Sequence, residues 1–446
     1  MLSTKKIIRT WWPLAFSWLL MGIEMPALSA IVARLPDPEI NLAAYSGIVF
    51  PLALIIESPI IMLLSASTAL SKDWASYVKI RRFMNTVSAA MTLLHVLVAF
   101  TPLYDVIASQ ILGVPAAILE PGRLGLRIML PWTWSIAYRR FNQGVLIRFD
   151  RSRAVGIGTL VRLGTNLLVL SIGYSLGNVP GIVTATSAVA AGVLSEAAFV
   201  GMLVQPVLRN QLRQAPTLPT PLTLRPFLEF YLPLALTSLL GLAVNPIGSA
   251  ALSRMPLAIE SLAAWSVVNG LGFMFRALGI AYNEVVVALL DQHQAYLHLR
   301  RFALWLAGIT TVLLLLMAAT PFSRVWFQTI SGLSPELTDL AVAGLWLVLP
   351  TPALAVYQSW LQGAILHGRK TRGITESVIL YLIACIVFFG IGVVWQGAPG
   401  LYLALGVFAL AMGIQTIWLW RSSRAIMKQL ATPNLKTTNP DLSIEE

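Results

Sequence analysis

The sequence predicts an all-α membrane protein with twelve transmembrane helices in two pseudo-symmetric six-helix lobes, and three observations predict it. Of 446 residues, 57% are hydrophobic and 11% charged, with a mean hydropathy of +0.76, against about 25% charged in a soluble domain. Twelve apolar segments follow one another, nearly all reaching the roughly 20 residues that a helix needs to cross a hydrocarbon core. The third observation is that one half of the chain repeats in the other. The first of these excludes a water-soluble enzyme.

The first segment, 11–34, follows Lys5, Lys6 and Arg9 and carries Glu24 and Pro26. Its basic start and the small residues 27–30 resemble a signal peptide, but the apolar run is too long for one, so an uncleaved helix is expected. Segment 42–70 carries Glu57 between Pro51 and Pro59. Segment 84–108 follows a basic group from Lys72 to Arg82, and 124–147 holds Arg127 near one end and Gln143-Gly144 near the other. Segment 157–176 opens with Arg162, and 182–206 contains Glu196, to which a structural role falls. These six make a first lobe, 1–206. A linker, 207–227, with Pro216, Pro219, Pro221 and Pro226, leads to a second lobe, 228–420, with segments 228–252, 260–290, 302–320, 338–364, 374–394 and 399–420. Arg276 and Glu284 lie in the eighth segment and Gln362-Gly363 in the tenth. The tail, 421–446, is cytoplasmic and disordered at its end by composition.

With the N-terminus in the cytoplasm, 24 of the 31 basic residues fall on the cytoplasmic side, among them Arg139 to Arg153 at the fourth turnaround. The other side keeps Arg34, Arg123, Arg254 and Arg324. This bias predicts a multi-pass protein of the cytoplasmic (inner) membrane with both termini inside. The net charge of +12 is then a topology signal and gives no reason to expect a nucleic-acid partner. No Gly-x4-Gly-Lys-Ser/Thr loop is present, so ATP drive would need another chain. Cys385 is the only cysteine, and His95, His293, His298 and His367 are dispersed, so neither a metal site nor any other cofactor is expected. The partners expected are a small-molecule substrate, a coupling H+ or Na+ and the bilayer, with the chain working as a monomer.

The repeat runs at an offset of 220 and then 219. Pro13-Leu14-Ala15 matches Pro233-Leu234-Ala235, Arg34 with Pro36 matches Arg254 with Pro256, and Leu42-Ala43-Ala44 matches Leu262-Ala263-Ala264. After one deletion, Arg81-Arg82-Phe83 matches Arg300-Arg301-Phe302, Gln143-Gly144 matches Gln362-Gly363, and Pro180-Gly181 matches Pro399-Gly400. Apolar composition alone does not place Pro, Gly and Arg pairs at one offset. Six spans per half mean that both halves enter from the same face, related by an axis along the membrane normal.

The run from Glu229 to Thr237, then Asn245-Pro246 and Leu252-Ser253-Arg254, resembles the second half of the progressive ankylosis proteins. Trp12-Pro13-Leu14, Leu42 to Tyr45, and Leu349-Pro350 with Pro352 take the corresponding places. More widely, the chain resembles the multidrug/oligosaccharide-lipid/polysaccharide exporters with their MATE-like fold. The resemblance implies export by alternating access of a small anion such as pyrophosphate, citrate or a nucleotide. A proton- or sodium-coupled multidrug exporter and a flippase for a lipid-linked sugar precursor are the alternatives.

Charges at bilayer depth are expensive and mark candidate sites. Glu57 maps onto Arg276 or Ala277, so the two lobes carry opposite charges at equivalent positions, which a pseudo-two-fold axis would bring to one cavity. They form either a substrate and ion site or a bridge between lobes. Glu24, two residues before Pro26, is a candidate for ion coupling or for a hydrogen bond to a neighbouring helix. Glu284, two turns from Arg276, is an alternative partner for it and a second ion-coupling candidate. Arg127 and Arg162 either snorkel to the interfaces or line the cavity with Arg276, where guanidinium groups would hold carboxylate or phosphate. Gln143 and Gln362 offer amides to substrate, while their neighbouring glycines permit close helix packing.

Overall fold

A computed structural model of the chain describes residues 4–151, 153–217, 222–290, 295–367 and 372–431. Pro219, Pro221, His293, Arg369, Lys370 and the tail beyond 431 lie outside the described residues. All regular structure within them is helical. The first half contributes α1 (Thr4–Val32), α2 (Pro38–Leu70) and α3 (Trp74–Phe100). It continues with α4, built from Leu119–Ile128 and Leu130–Arg148, then α5 (Arg153–Leu176) and α6 (Gly181–Asn210). The second half contributes α7 (Leu224–Leu252), α8 (Ala258–Leu289), α9 (Ala295–Ala319), α10 (Pro335–Leu366), α11 (Arg372–Trp395) and α12 (Gly400–Ala431).

Eleven of these are long and apolar enough to cross a membrane. The other is α4, which carries Arg123, Arg127, Arg139, Arg140 and Arg148. Large apolar side chains such as Leu168, Leu176, Leu316, Val394 and Ile417 are exposed on the bundle surface, which is the surface that a lipid solvent covers. The chain is a multi-pass membrane protein. Prolines shape the long helices by removing backbone donors. α4 breaks at Met129, two residues before Pro131, and α10 at Leu349, next to Pro350. Between its first turns and Phe50, α2 passes through a π-helical turn, Tyr45–Val49.

Backbone details recur at the offsets read from the sequence. Asp37 and Leu257 both have positive φ, at 49° and 55°, one residue before α2 and α8. Gly113 and Gly332 follow at 65° and 72°, and Gly177 and Gln396 at 69° and 48°. After α3 and after α9 the chain makes the same connector, one α turn running into a π turn (Val106–Leu112 and Val325–Ile330). The halves also exchange equivalent hydrogen bonds. Trp11 Nε1 donates to the Leu278 carbonyl at 3.0 Å, and Tyr231, its counterpart, donates to the carbonyl of Pro59, the counterpart of Leu278. α1 packs along α8, α7 packs against α2, and the start of α2 packs against α8, so these seams join the halves.

Candidate functional site

Between the seams lies a cavity of about 480 Å³. Helical periodicity explains which side chains reach it. α2 presents Ser46, Phe50, Leu54, Glu57 and Ile61, spaced three or four apart. α4 presents Trp132, Ile136, Arg139 and Arg140 at the same spacing, and α8 presents Trp265, Ser266, Asn269 and Phe273. α1 adds Met21, Glu24 and Met25, and α5 adds Arg162. All five charged liners belong to the first half. The second half supplies amides, hydroxyls and aromatic rings.

Most of the charge is neutralised within a network centred on Glu196, whose side chain is fully buried. It is paired with Arg139, accepts from Gln143 Nε2 at 2.9 Å and lies 3.8 Å from Arg162 Nε. Arg162 reaches Glu24 at 2.9 Å, and Asn166 donates to the other oxygen of Glu24 at 2.9 Å. Glu24 and Glu196 are thus held by Arg139, Arg162 and two amides. Glu57 and Arg140 are left over. Among the described residues neither has an ion pair within 4 Å, and Glu57 Oε2 and Arg140 Nε are buried without a hydrogen-bond partner.

A second cavity of about 450 Å³ lies against the second half, lined by Trp18, Arg276, Asn283, Glu284, Ser359 and Gln362 among others. Arg276 sits seven residues beyond Asn269 on the same face of α8 and donates to its Oδ1 at 2.9 Å. Asn269 therefore stands between the two cavities.

The candidate residues distribute as follows. Glu24 and Glu57 line the central cavity, while Arg276, Glu284 and Gln362 line the second. The expected pairing of Glu57 with Arg276 is not formed, nor is that of Glu284 with Arg276. Equivalent positions such as Ser46 with Ser266 and Tyr45 with Trp265 share the central cavity, but Arg276 opens into the second one and Glu57 into the first. Arg127 is exposed, donates to the Ala99 carbonyl at 3.2 Å and stacks over Phe100, clear of both cavities. Arg162 faces the cavity instead of snorkelling. Gln143 serves Glu196, and Gly144 brings α4 onto α2. Arg139 and Arg140, assigned by charge counting to a cytoplasmic turnaround, stand inside α4 on the cavity wall, which leaves 22 basic residues on the side of the termini. Their spacing from Trp132 and Ile136 was the signal that could have found them.

No family model matches this sequence, and no curated protein does. Solved structures do match. An inward-facing multidrug resistance MATE family transporter of the MOP superfamily superposes with a TM-score of 0.67 at 16% identity, over 92% of this chain and 95% of that one. The chain has the MATE fold. The outward-facing conformation of a MATE family transporter gives 0.59 at 16% identity, covering 96% of each chain. The lipid II flippase MurJ, in an inward closed conformation, gives 0.69 at 15% identity over 93% of this chain and 88% of that one. In this MATE frame the central cavity lies between the two six-helix halves, with the unmatched Glu57 and Arg140 on its wall.

Proposed function

We propose that this protein is a secondary exporter that carries a small organic anion across the cytoplasmic membrane by alternating access, with both termini in the cytoplasm. The observation that carries the reading is Arg140. Its guanidinium lines the central cavity with no ion pair within 4 Å among the described residues, Glu57 being the unpaired carboxylate on the same wall, while its neighbours Arg139 and Arg162 are matched by Glu196 and Glu24. An unpaired buried charge is costly, and an anionic ligand would offset that cost. The walls around it, with Phe50, Trp132, Trp265, Phe273 and Phe408, suit an organic body attached to the anionic group. Citrate and nucleotides fit this description better than bare pyrophosphate, and all three belong to the chemistry that the resemblance to the progressive ankylosis proteins implies. Glu57 is the carboxylate left free to take a coupling H+ or Na+, because Glu24 is occupied by Arg162 and Asn166. Arg276 and Asn269 form a second station between the cavities. The closer match to inward-facing than to outward-facing MATE structures supports a state closed to the outside.

A lipid-linked anion is the second reading. Three arginines on one cavity wall and the likeness to the lipid II flippase MurJ favour it. Uptake into proteoliposomes, with and without a proton or sodium gradient, separates the readings when citrate, pyrophosphate, a nucleotide, a cationic dye and a lipid-linked sugar are compared. The Arg140→Gln variant is expected to lose transport of the anion by more than about tenfold, as loss of a charged contact worth about 1.5–3 kcal/mol predicts. Wild-type rates for that variant, or transport of the cationic dye alone, would end the anion reading.

A further inference from the structure

We propose that Arg34 and Arg254 form two symmetry-related latches that hold the outer end of the bundle shut, each half gripping a connector of the other. The proposal rests on the alternating-access reading, and its observations are independent of the cavity. Arg34 lies just beyond the end of α1 and Arg254 just beyond the end of α7, at positions that the repeat makes equivalent. Each first turns back to its own helix. Arg34 Nη1 donates to the Ala30 carbonyl at 2.6 Å, and Arg254 Nη1 to the Ala250 carbonyl at 2.7 Å. Each then crosses to the opposite half. Arg34 Nη2 donates to Thr329, in the connector after α9. Arg254 donates to Leu112 at 2.7 Å, Ile111 at 2.8 Å and Gln110 at 3.1 Å, in the connector after α3.

The acceptors are carbonyls of the last helical turn, where the helix has its negative end and where cations bind best. Each connector leaves that turn through a glycine of positive φ, Gly113 or Gly332. A Cβ at Gly113 would stand 2.7 Å from Arg254 Cζ, and one at Gly332 would stand 2.8 Å from Arg34 Nη1. Glycine therefore supplies both the turn and the space in which the guanidinium lies. The receiving connectors are themselves braced to their own halves, by Arg123 with Asp105 and by Arg324 with Asp339 at 2.5 Å. The four arginines at this end thus divide by role, one fixing each connector to its own half and one tying it to the other half. Bonds to carbonyls at the bundle end can be exchanged for water, so such a latch can open as well as hold, which a buried ion pair could not do cheaply.

The test is accessibility, which needs no substrate and so separates failure of the latch from failure of the transport reading. In a Cys385→Ser background, Ser266→Cys places a thiol on the central cavity, and a membrane-impermeant thiol reagent is applied to cells from outside. Arg34→Gln and Arg254→Gln are each expected to raise the labelling rate several-fold, and the double variant by at least about tenfold. Gly113→Ala and Gly332→Ala should act in the same direction, because they evict the guanidinium without removing it. Arg123→Gln should change the rate less than Arg254→Gln. Labelling from the inner face in inverted vesicles, together with a monodisperse gel-filtration profile, shows that each variant is folded. A folded double variant labelled from outside at the wild-type rate would overturn the latch, as would equal effects from Arg123→Gln and Arg254→Gln. If the double variant does not fold, the glycine variants decide: an unchanged labelling rate in both overturns the proposal.

Discussion

Arg139 and Arg140 are adjacent in sequence and different in circumstance, since Arg139 is ion-paired with Glu196 and Arg140 has no ion pair within 4 Å among the described residues. Removing the shared carboxylate should therefore be expensive. Glu196→Ala strands Arg139 and takes an acceptor from Gln143, and stranding a buried charge costs about 3–5 kcal/mol. Thermal unfolding in detergent is expected to show a large drop in Tm for Glu196→Ala, most of it recovered in Glu196→Leu with Arg139→Met. Equal Tm values for Glu196→Ala and wild type would mean that water already reaches Glu196. Arg276 differs again, because it donates to Asn269 and lies in the second cavity. Arg276→Ala is expected to raise KM for the anion several-fold while leaving the maximal rate closer to wild type than Arg140→Gln does. This pattern follows from contact with substrate on its path and not at its central site, and initial rates across a concentration series would show it. Intramembrane charge in the sequence pointed to Glu24, Glu57, Arg162 and Arg276. The partners of those charges were not legible, because pairing depends on which way each helix is turned. Counting Arg139 and Arg140 as cytoplasmic hid two arginines of the cavity wall.

α4 is the helix in which hydropathy is least informative. Its arginines lower its apolar character, yet they are absorbed by Glu196, by the cavity and by the bundle end, so the helix can still pass through the bundle. The stripe Trp132, Ile136, Arg139, Arg140 would have identified it as a cavity-facing helix from spacing alone. Its opposite constraint is Gly144, where α4 meets the break in α2. A Cβ there would lie 2.5 Å from the Leu64 carbonyl oxygen and 2.6 Å from Ser67 Cβ, and backbone cannot move aside as a flexible side chain can. Gly144→Ala is expected to destabilise the protein by about 1–3 kcal/mol, the usual cost of overpacking. Gly413→Ala, in α12 with nothing within 4 Å of its added methyl, should be neutral or stabilising by up to about 1 kcal/mol through loss of unfolded-state freedom. Chemical denaturation of the two variants side by side checks the contrast, and similar losses for both would show that glycine acts here through flexibility and not through contact. The Gly-Gly match between 144 and 363 was readable as a repeat. What each glycine touches, backbone for one and the Val286 side chain for the other, was not.

Duplication explains why the fold was so much easier to read than the site. A duplicated chain must keep whatever sets its backbone path, so prolines, left-handed positions and connector turns persist at offsets of 220 and 219, while side chains facing the cavity are free to diverge. The charged liners of the central cavity are all in the first half, and the second half answers them with Asn245, Ser266 and Asn269. That asymmetry is invisible to a symmetry argument, which is why equating Glu57 with Arg276 misled. The same duplication fixes a prediction for the whole chain. With six helices in each half, equivalent connectors must lie on the same side of the membrane, and the linker between halves must lie with the termini. Reporter fusions after residues 150, 215 and 370 are therefore expected on the cytoplasmic side, and fusions near 115 and 335 on the other. The two connectors near 115 and 335 carry the positive-φ glycines that receive Arg254 and Arg34, so these fusions also establish which side the latches close. A fusion at 215 reporting the outside would mean that the halves are inverted, and an axis along the membrane normal could not then relate Arg34 to Arg254. If 150, 215 and 370 instead agreed with one another but reported the outside, the repeat would stand. The paired arginines would then lie at the cytoplasmic mouth, and a latch on the outer end would be ruled out.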